Sequence, residues 1–384
     1  MYSIDDFAEL KLQELEKKSL RRRLASTARR DRGTTERDGK SLISFCCNDY
    51  LGLSKHPQVK KDAIDALSNY GVGAGASRLV TGNHPLYESL ERGLAEIKST
   101  EAATVFGSGY LSNLGIIPSF MGSNDLCIGD ELCHSSLHAG MQSSRAKVQL
   151  FRHNDMENCK SILTSLRSSY EKCLLITEGV FSMDGDRAPL LNLCNLADEF
   201  DSWLFVDDAH GFGVLGNGAG SAAEAGVGSR VDLQMGTLSK SVGSYGGFLC
   251  GSQPVCNLAV NRARTLIYET GLPPASVAAS LASLKLIKND SGLVSRPLKK
   301  ARYFTNQLSL PEAQSAIVPL ILGQPKDTLA ASAQLMEEGF LVTPIRPPTV
   351  PAGTSRLRFT FCADQPDEDI EMLIQCIRKL GIAG

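Results

Sequence analysis

Leu204-Phe205-Val206-Asp207-Asp208-Ala209-His210-Gly211 is the stretch on which the reading of this chain turns. A short apolar run stops on a carboxylate, and an imidazole follows three residues later. Such a run, apolar at successive positions and too short for a core helix, fits a strand buried on both faces. Similar runs stand at 102–106, 126–128, 174–177, 232–237 and 247–250, with segments of helical length and polarity between several of them. That rhythm predicts an α/β domain whose strands are covered by helices. The ends of the runs carry Ser108-Gly109-Tyr110, Glu178, Asp207 with His210, and Lys240. Open α/β sheets bind ligands at the carboxyl ends of their strands, so polar groups at several strand ends predict a composite site there.

Lys240 lies in Thr237-Leu238-Ser239-Lys240-Ser241-Val242-Gly243. A Ser- and Gly-rich turn can simply present a lysine to solvent. It can equally fix an amine for a carbonyl cofactor, with Thr237 and Ser239 donating to a phosphate and burial lowering the amine's pKa. A nucleotide P-loop is excluded, because GxxxxGK(S/T) is absent. Asp207 can pair with a protonated pyridine nitrogen and strengthen that ring as an electron sink, while His210 bonds a phenolic oxygen. The same two residues can instead be a helix cap and a core histidine, or, with Asp208, metal ligands, although no HExxH partner motif is present. Phe106-Gly107-Ser108-Gly109-Tyr110, with Asn113 beyond, can cradle phosphate on backbone N–H groups at a helix start. His134, with His138 four residues on, can stack on a flat ring or merely open a helix. The acidic turn from Thr177 to Asp186 lacks the alternating oxygen ligands of a calcium loop.

Composition narrows the function classes. With 384 residues, 42% hydrophobic and 21% charged, the chain can bury a large core. A formal net charge of -2 gives no sign of a nucleic-acid partner. No apolar stretch reaches the roughly eighteen residues of a membrane-spanning helix. The acidic opening MYSIDDFAEL is unlike a secretory signal, so a cytoplasmic protein is expected. The 11 Cys residues are irregularly spaced, which argues for free thiols rather than disulfides or a zinc site. Residues 4–30 read as a helix and 32–40 as a linker. Arg21-Arg22-Arg23 form a solvated face or touch a phosphate-rich substrate. Past the Pro273-Pro274 pair the pattern becomes a smaller α+β unit, with strands at 316–322, 340–343 and 356–360 and a closing helix at 369–379. Three parts are expected: an N-terminal helix and arm over 1–45, a large α/β domain over 46–280, and a C-terminal α+β domain over 281–384.

Taken in order, these residues resemble the α-oxoamine synthases, a branch of the fold-type-I enzymes that use pyridoxal 5'-phosphate (PLP). The resemblance covers nearly the whole chain. It runs from Asn48-Asp49-Tyr50-Leu51-Gly52-Leu53 and Gly75-Ala76-Ser77-Arg78-Leu79-Val80-Thr81-Gly82, through Glu178-Gly179-Val180-Phe181-Ser182-Met183-Asp184-Gly185-Asp186, to Arg346-Pro347-Pro348-Thr349-Val350-Pro351. It implies a central, mostly parallel seven-stranded sheet covered by helices, a smaller C-terminal α+β domain, PLP as cofactor, and a homodimer with the active site at its interface. Lys240 matches the lysine that holds PLP as a Schiff base, Asp207 the partner of the pyridine nitrogen, and His210 the partner of the phenolic oxygen. His134 matches the histidine that stacks on the ring. Ser108, Gly109 and Tyr110 match the phosphate turn, Thr237 a phosphate ligand, and Thr270 a phosphate ligand given across the dimer interface. Ser182 matches a hydroxyl near the phenolic oxygen. Arg358, with Arg356 as the other register, matches the arginine that grips the amino-acid carboxylate. Asn48 lines that pocket, and Arg22 is assigned to the substrate.

The reaction implied is a decarboxylating condensation of an amino acid with an acyl thioester. The Pro-rich stretch favours L-alanine and a pimeloyl thioester, on CoA or an acyl-carrier protein, over glycine or serine with another acyl-CoA. No metal, nucleic acid or membrane is implied. Two departures stand out. Gly71-Val72-Gly73-Ala74-Gly75-Ala76-Ser77 is less rich in Gly and Ser than is common. Glu269 stands where a small hydroxyl residue is common, and is expected to point away from the phosphate, leaving Thr270 to face it.

Overall fold

The computed structural model describes residues 3–382, in two units: one of 48–182 and 186–298, the other of 3–47, 183–185 and 299–382. In the first, seven strands make one sheet in the order Ala102–Phe106, Gly247–Gly251, Leu233–Thr237, Trp203–Asp207, Cys173–Glu178, Leu126–Asp130, Lys147–Phe151. Gly247–Gly251 runs antiparallel to both neighbours, and every other pair is parallel. This is the mostly parallel sheet expected from the sequence. Leu174, Leu175, Leu204, Phe205 and Leu249 in it are wholly buried, each side chain contributing roughly 1.5–3 kcal/mol by leaving water.

Helices such as Gly109–Phe120, Ser135–Ser143 and Leu190–Glu199 connect the strands. Because all but one strand share a direction, the residues after Phe106, Asp130, Phe151, Glu178, Asp207 and Thr237 emerge along one edge of the sheet. The strand Lys147–Phe151 has no apolar run to announce it. It lies at the sheet margin and is only partly buried, so its sequence needs no continuous hydrophobic stretch.

The second unit has a three-stranded antiparallel sheet in the order Ile317–Gly323, Ser355–Thr360, Thr343–Ile345. A second sheet is ordered Thr27–Arg29, Thr34–Arg37, Lys40–Ser44, Phe340–Leu341, its last pair parallel. The core is aromatic: Phe304 lies 5.1 Å from Phe359 and 5.0 Å from Phe361, and Phe45 lies 5.8 Å from Phe361, centroid to centroid. The helix expected over 4–30 covers only Ile4–Lys17. It buries no residue, so nothing extends it beyond its own propensity. Ser19 takes φ 56° and the Leu20 N–H closes on the Leu15 carbonyl, a left-handed stop that ends the helix. Part of the expected linker is the strand Thr34–Arg37.

Candidate active site

Lys240 sits in a tight turn after Leu233–Thr237. The turn is closed by Leu238 N–H to Gly246 O, Gly243 N–H to Lys240 O, and Ser244 N–H to Leu238 O. Gly243 has φ 69°, and a Cβ there would stand 2.3 Å from the Ser54 nitrogen, so only glycine permits this turn. The amine is 2.9 Å from His210 Nε2. His210 Nδ1 is 2.7 Å from the Tyr50 hydroxyl, which donates to Asn48 Oδ1 at 3.3 Å. An ammonium on Lys240 can only donate, which makes His210 Nε2 the acceptor and sends the Nδ1–H to Tyr50. Tyr50 was not singled out by sequence reasoning. Its position two residues beyond Asn48 was the available signal.

Asp207 is buried, and its carboxylate accepts from Asn113 Nδ2 at 2.7 Å and from the Ala209 N–H at 3.0 Å. The adjacent Asp208 turns elsewhere, to a fully buried ion pair with Lys98 at 3.0 Å, and also takes the Ser221 N–H. Asp207 and Asp208 therefore do different things: one is presented at the strand mouth, the other anchors the loop beneath it. Lys98, at the end of the helix Leu86–Lys98, carried no sequence signal beyond an ordinary helical lysine.

At the first strand, Ser108 caps the helix Gly109–Phe120, its hydroxyl accepting the Leu111 N–H at 3.2 Å. The first N–H groups of any helix have no partner within it, which leaves those of Gly109 and Tyr110 to a ligand or water. A Cβ on Gly109 would stand 3.4 Å from Thr237 Oγ1, so Thr237 faces the same opening. Thr237 Oγ1 and Ser239 Oγ are 2.8 Å apart. A helix start with open amides beside two hydroxyls, a buried hydrogen-bonded carboxylate and an amine on a fixed turn fit the phosphate, pyridine nitrogen and aldehyde of PLP.

Glu269 is the residue expected to point away from the phosphate. Its carboxylate lies against Gly107, where a Cβ would be 2.2 Å from Oε1, and burial raises its pKa while the Gly107 N–H lowers it. The missing side chain of Gly107 makes room for it. Thr270 is exposed and bridges to Ser77, and Tyr110 is exposed too.

His134 caps the helix Ser135–Ser143, its Nδ1 accepting the Ser136 N–H at 3.2 Å and lying 2.7 Å from the Ser136 hydroxyl, which in turn accepts from Asn113. Although His134 is exposed at its margin, the protein around its ring lowers its pKa, with Lys240 and His138 adding and Asp207 opposing. The neutral ring is the form suited to stacking. The helix-opening role is thus present, and the stacking role stays an expectation. Ser182 is buried, its N–H donating to Glu178 at 3.2 Å. Behind these turns His153 bridges two carboxylates, Nδ1 to Asp130 at 3.1 Å and Nε2 to Asp186 at 2.8 Å. Burial opposes its charge, but the hydrogen bonds and charges of both carboxylates raise its pKa to about 10.

In the smaller unit, Arg356 and Arg358 share a face of the strand Ser355–Thr360 and both are buried. Arg356 is spent on Asp184, Met183 O and Thr354 O. Arg358 stands opposite Pro319 and Thr343. Arg22 donates to Thr349 Oγ1 at 3.2 Å, and its charge, after burial, lowers the pKa of Arg346.

A family model described as aminotransferase class I and II matches residues 40–377. An 8-amino-7-oxononanoate synthase of Beijerinckia indica is 54% identical over 380 residues, covering 99% of this chain and 98% of its own. The serine palmitoyltransferase of S. paucimobilis, solved with PLP and myriocin bound, matches with a TM-score of 0.93 and 28% identity over 100% of both chains. An 8-amino-7-oxononanoate synthase of Francisella tularensis matches with a TM-score of 0.73 and 26% identity, covering 88% of this chain and 98% of that one.

Proposed function

This chain belongs to the class I and II aminotransferase family and, within it, to the α-oxoamine synthases; on that premise we propose that it condenses L-alanine with a pimeloyl thioester. The products are 8-amino-7-oxononanoate, CO2 and the free thiol carrier, CoA or acyl-carrier protein, in a step of biotin biosynthesis. The observation that carries this choice of substrates is the 54% identity to an 8-amino-7-oxononanoate synthase across essentially the whole chain.

The enzyme is a PLP-dependent acyltransferase. When bound, PLP supplies an aldehyde that takes up the amino acid and a protonated ring that draws electrons from its Cα. Ser108, Gly109, Tyr110 and Thr237 hold the phosphate, joined by Thr270 of a second copy in a homodimer. Asp207, fixed by Asn113, keeps the ring nitrogen protonated. His210 and Ser182 would bond the phenolic oxygen, and His134 would stack on the ring. The Lys240 amine, once released, takes the proton from the alanine Cα and later returns one there. His210, oriented by Tyr50, lies within hydrogen-bond reach of that amine. Arg358 would grip the alanine carboxylate in a bidentate pair and so orient the Cα–H bond, and Asn48 is assigned to the substrate as well. Arg22 contacts the acyl donor. One C–C bond forms at the thioester carbonyl as its C–S bond breaks, and the carboxylate then leaves as CO2.

A second reading has one observation in its favour. Serine palmitoyltransferase matches over the full chain with the higher TM-score. That score compares backbone traces, whereas substrate choice lies in side chains, where the identity is 28% against 54%. Purified enzyme given alanine, glycine or serine with pimeloyl, succinyl, acetyl or palmitoyl thioesters should release CO2 and free thiol fastest with alanine and pimeloyl. Preference for glycine or serine overturns the assignment.

A further inference from the structure

Glu178 ends the strand Cys173–Glu178 and has no part in the mechanism above, yet it is 2% exposed and stands in register with Asp207 on the neighbouring strand. Side chains at paired positions leave the same face of a sheet, so the two carboxyls lie side by side out of water. Two carboxylates in that position do not both keep their charge without compensation. The donors decide between them. Asp207 receives the Asn113 amide at 2.7 Å and the Ala209 N–H at 3.0 Å. Glu178 Oε2 receives the Ser182 N–H at 3.2 Å, the backbone amide of His134 also favours its charged form, and Oε1 is buried without a hydrogen-bond partner. Shorter bonds, one from a side-chain amide, make Asp207 the better-solvated anion.

The surroundings agree. Burial first, then the Asp207 charge, push the Glu178 carboxyl well above the ordinary carboxylate range, against Lys240 and the two amides. The other titratable neighbours add no compensating cation: burial holds the Cys133 thiol neutral and lowers the His134 pKa.

We propose that Glu178 is an uncharged positioning residue, which ties the His134 turn to the Ser182 turn and leaves Asp207 as the only charged member of the pair. The proposal rests on the PLP reading above, in which Asp207 serves the ring nitrogen. A proton reaching this pair goes to Glu178, whose Oε1 is otherwise unpartnered.

The holoenzyme tests this with two variants. Glu178→Gln keeps a neutral group of the same shape that accepts from both amides. Glu178→Ala removes it. Infrared difference spectra between the unmodified chain and Glu178→Gln at neutral pH should show the carbonyl stretch of a protonated carboxylic acid. The pH midpoint of the bound cofactor's visible absorbance should move by less than about 0.3 unit in Glu178→Gln. PLP retention should fall by about tenfold in Glu178→Ala and recover in Glu178→Gln. A carboxylate stretch in place of the acid, or a midpoint moved by about one unit or more in Glu178→Gln, overturns the proposal. Should Glu178→Ala fail to fold, the spectrum and titration of Glu178→Gln still decide it. An unmodified chain that takes up no PLP overturns the underlying reading, and the proposal with it.

Discussion

Lys240 Nζ stands 2.9 Å from His210 Nε2, and an ammonium there makes Nε2 the acceptor and leaves Nδ1–H to the Tyr50 hydroxyl at 2.7 Å. The amine is therefore held by a group whose own proton is on the far nitrogen. The amine proposed as the proton-transfer base is oriented through His210, Tyr50 and Asn48.

Tyr50→Phe tests this chain. It leaves the His210 Nδ1–H buried without its acceptor, at a cost of about 1–3 kcal/mol. The imidazole can then adopt the other tautomer, which turns a donor toward the amine. Turnover should fall by about tenfold with PLP still bound, and the pH–rate profile should shift. Unchanged kcat and an unchanged pH profile contradict the proposed orientation.

Asn113 holds Asp207 from the helix Gly109–Phe120 at 2.7 Å. Asn113→Ala removes a charge-assisted hydrogen bond worth about 1.5–3 kcal/mol. PLP affinity and kcat should each drop by about tenfold. Asn113→Asp, which sets a second carboxylate at that distance, should be worse than Asn113→Ala. Equal effects would show that Asn113 fills space rather than stabilising the Asp207 charge.

His153 is predicted to make stability depend on alkaline pH. Its folded pKa of about 10 lies above the ordinary 6.5 because Asp130 and Asp186 stabilise the imidazolium more than burial opposes it. A raised pKa means stability fully present below about 6.5 and lost as pH rises through about 10. The Tm of the unmodified chain should decline toward pH 10, and the difference from His153→Gln should shrink over the same range. A constant difference between the two contradicts the charged bridge.

Arg356 and Arg358 should separate by kind of defect. Arg356 is committed to Asp184, so Arg356→Lys should lower Tm with little change in the KM for alanine. Arg358→Lys loses bidentate geometry and should raise that KM by about tenfold. The opposite pattern would assign the carboxylate to Arg356.

The sheet was legible where strands are buried on both faces, because burial there demands the unbroken apolar runs that end at Phe106, Asp207 and Thr237. It was illegible at Lys147–Phe151, whose margin position leaves the sequence mixed. The N-terminal helix was overextended because its leucine stripe resembles a buried face, yet the helix buries nothing. The resemblance supplied roles for Lys240, Asp207 and His210. It did not supply the pairs Tyr50–His210, Asn113–Asp207 and Lys98–Asp208, 160, 94 and 110 residues apart, or His153, whose carboxylates lie 23 and 33 residues away. Those contacts exist only once parallel strands bring distant ends together. The contact of Glu269 with Gly107 was illegible because the room a glycine leaves is a tertiary fact.

Reduction of the holoenzyme with borohydride, followed by peptide mapping, tests the central claim most directly. The account predicts that the cofactor is fixed to a single peptide, on Lys240, and that Lys240→Ala acquires no such label and turns over no alanine. A label on another lysine, or an active Lys240→Ala enzyme, contradicts it.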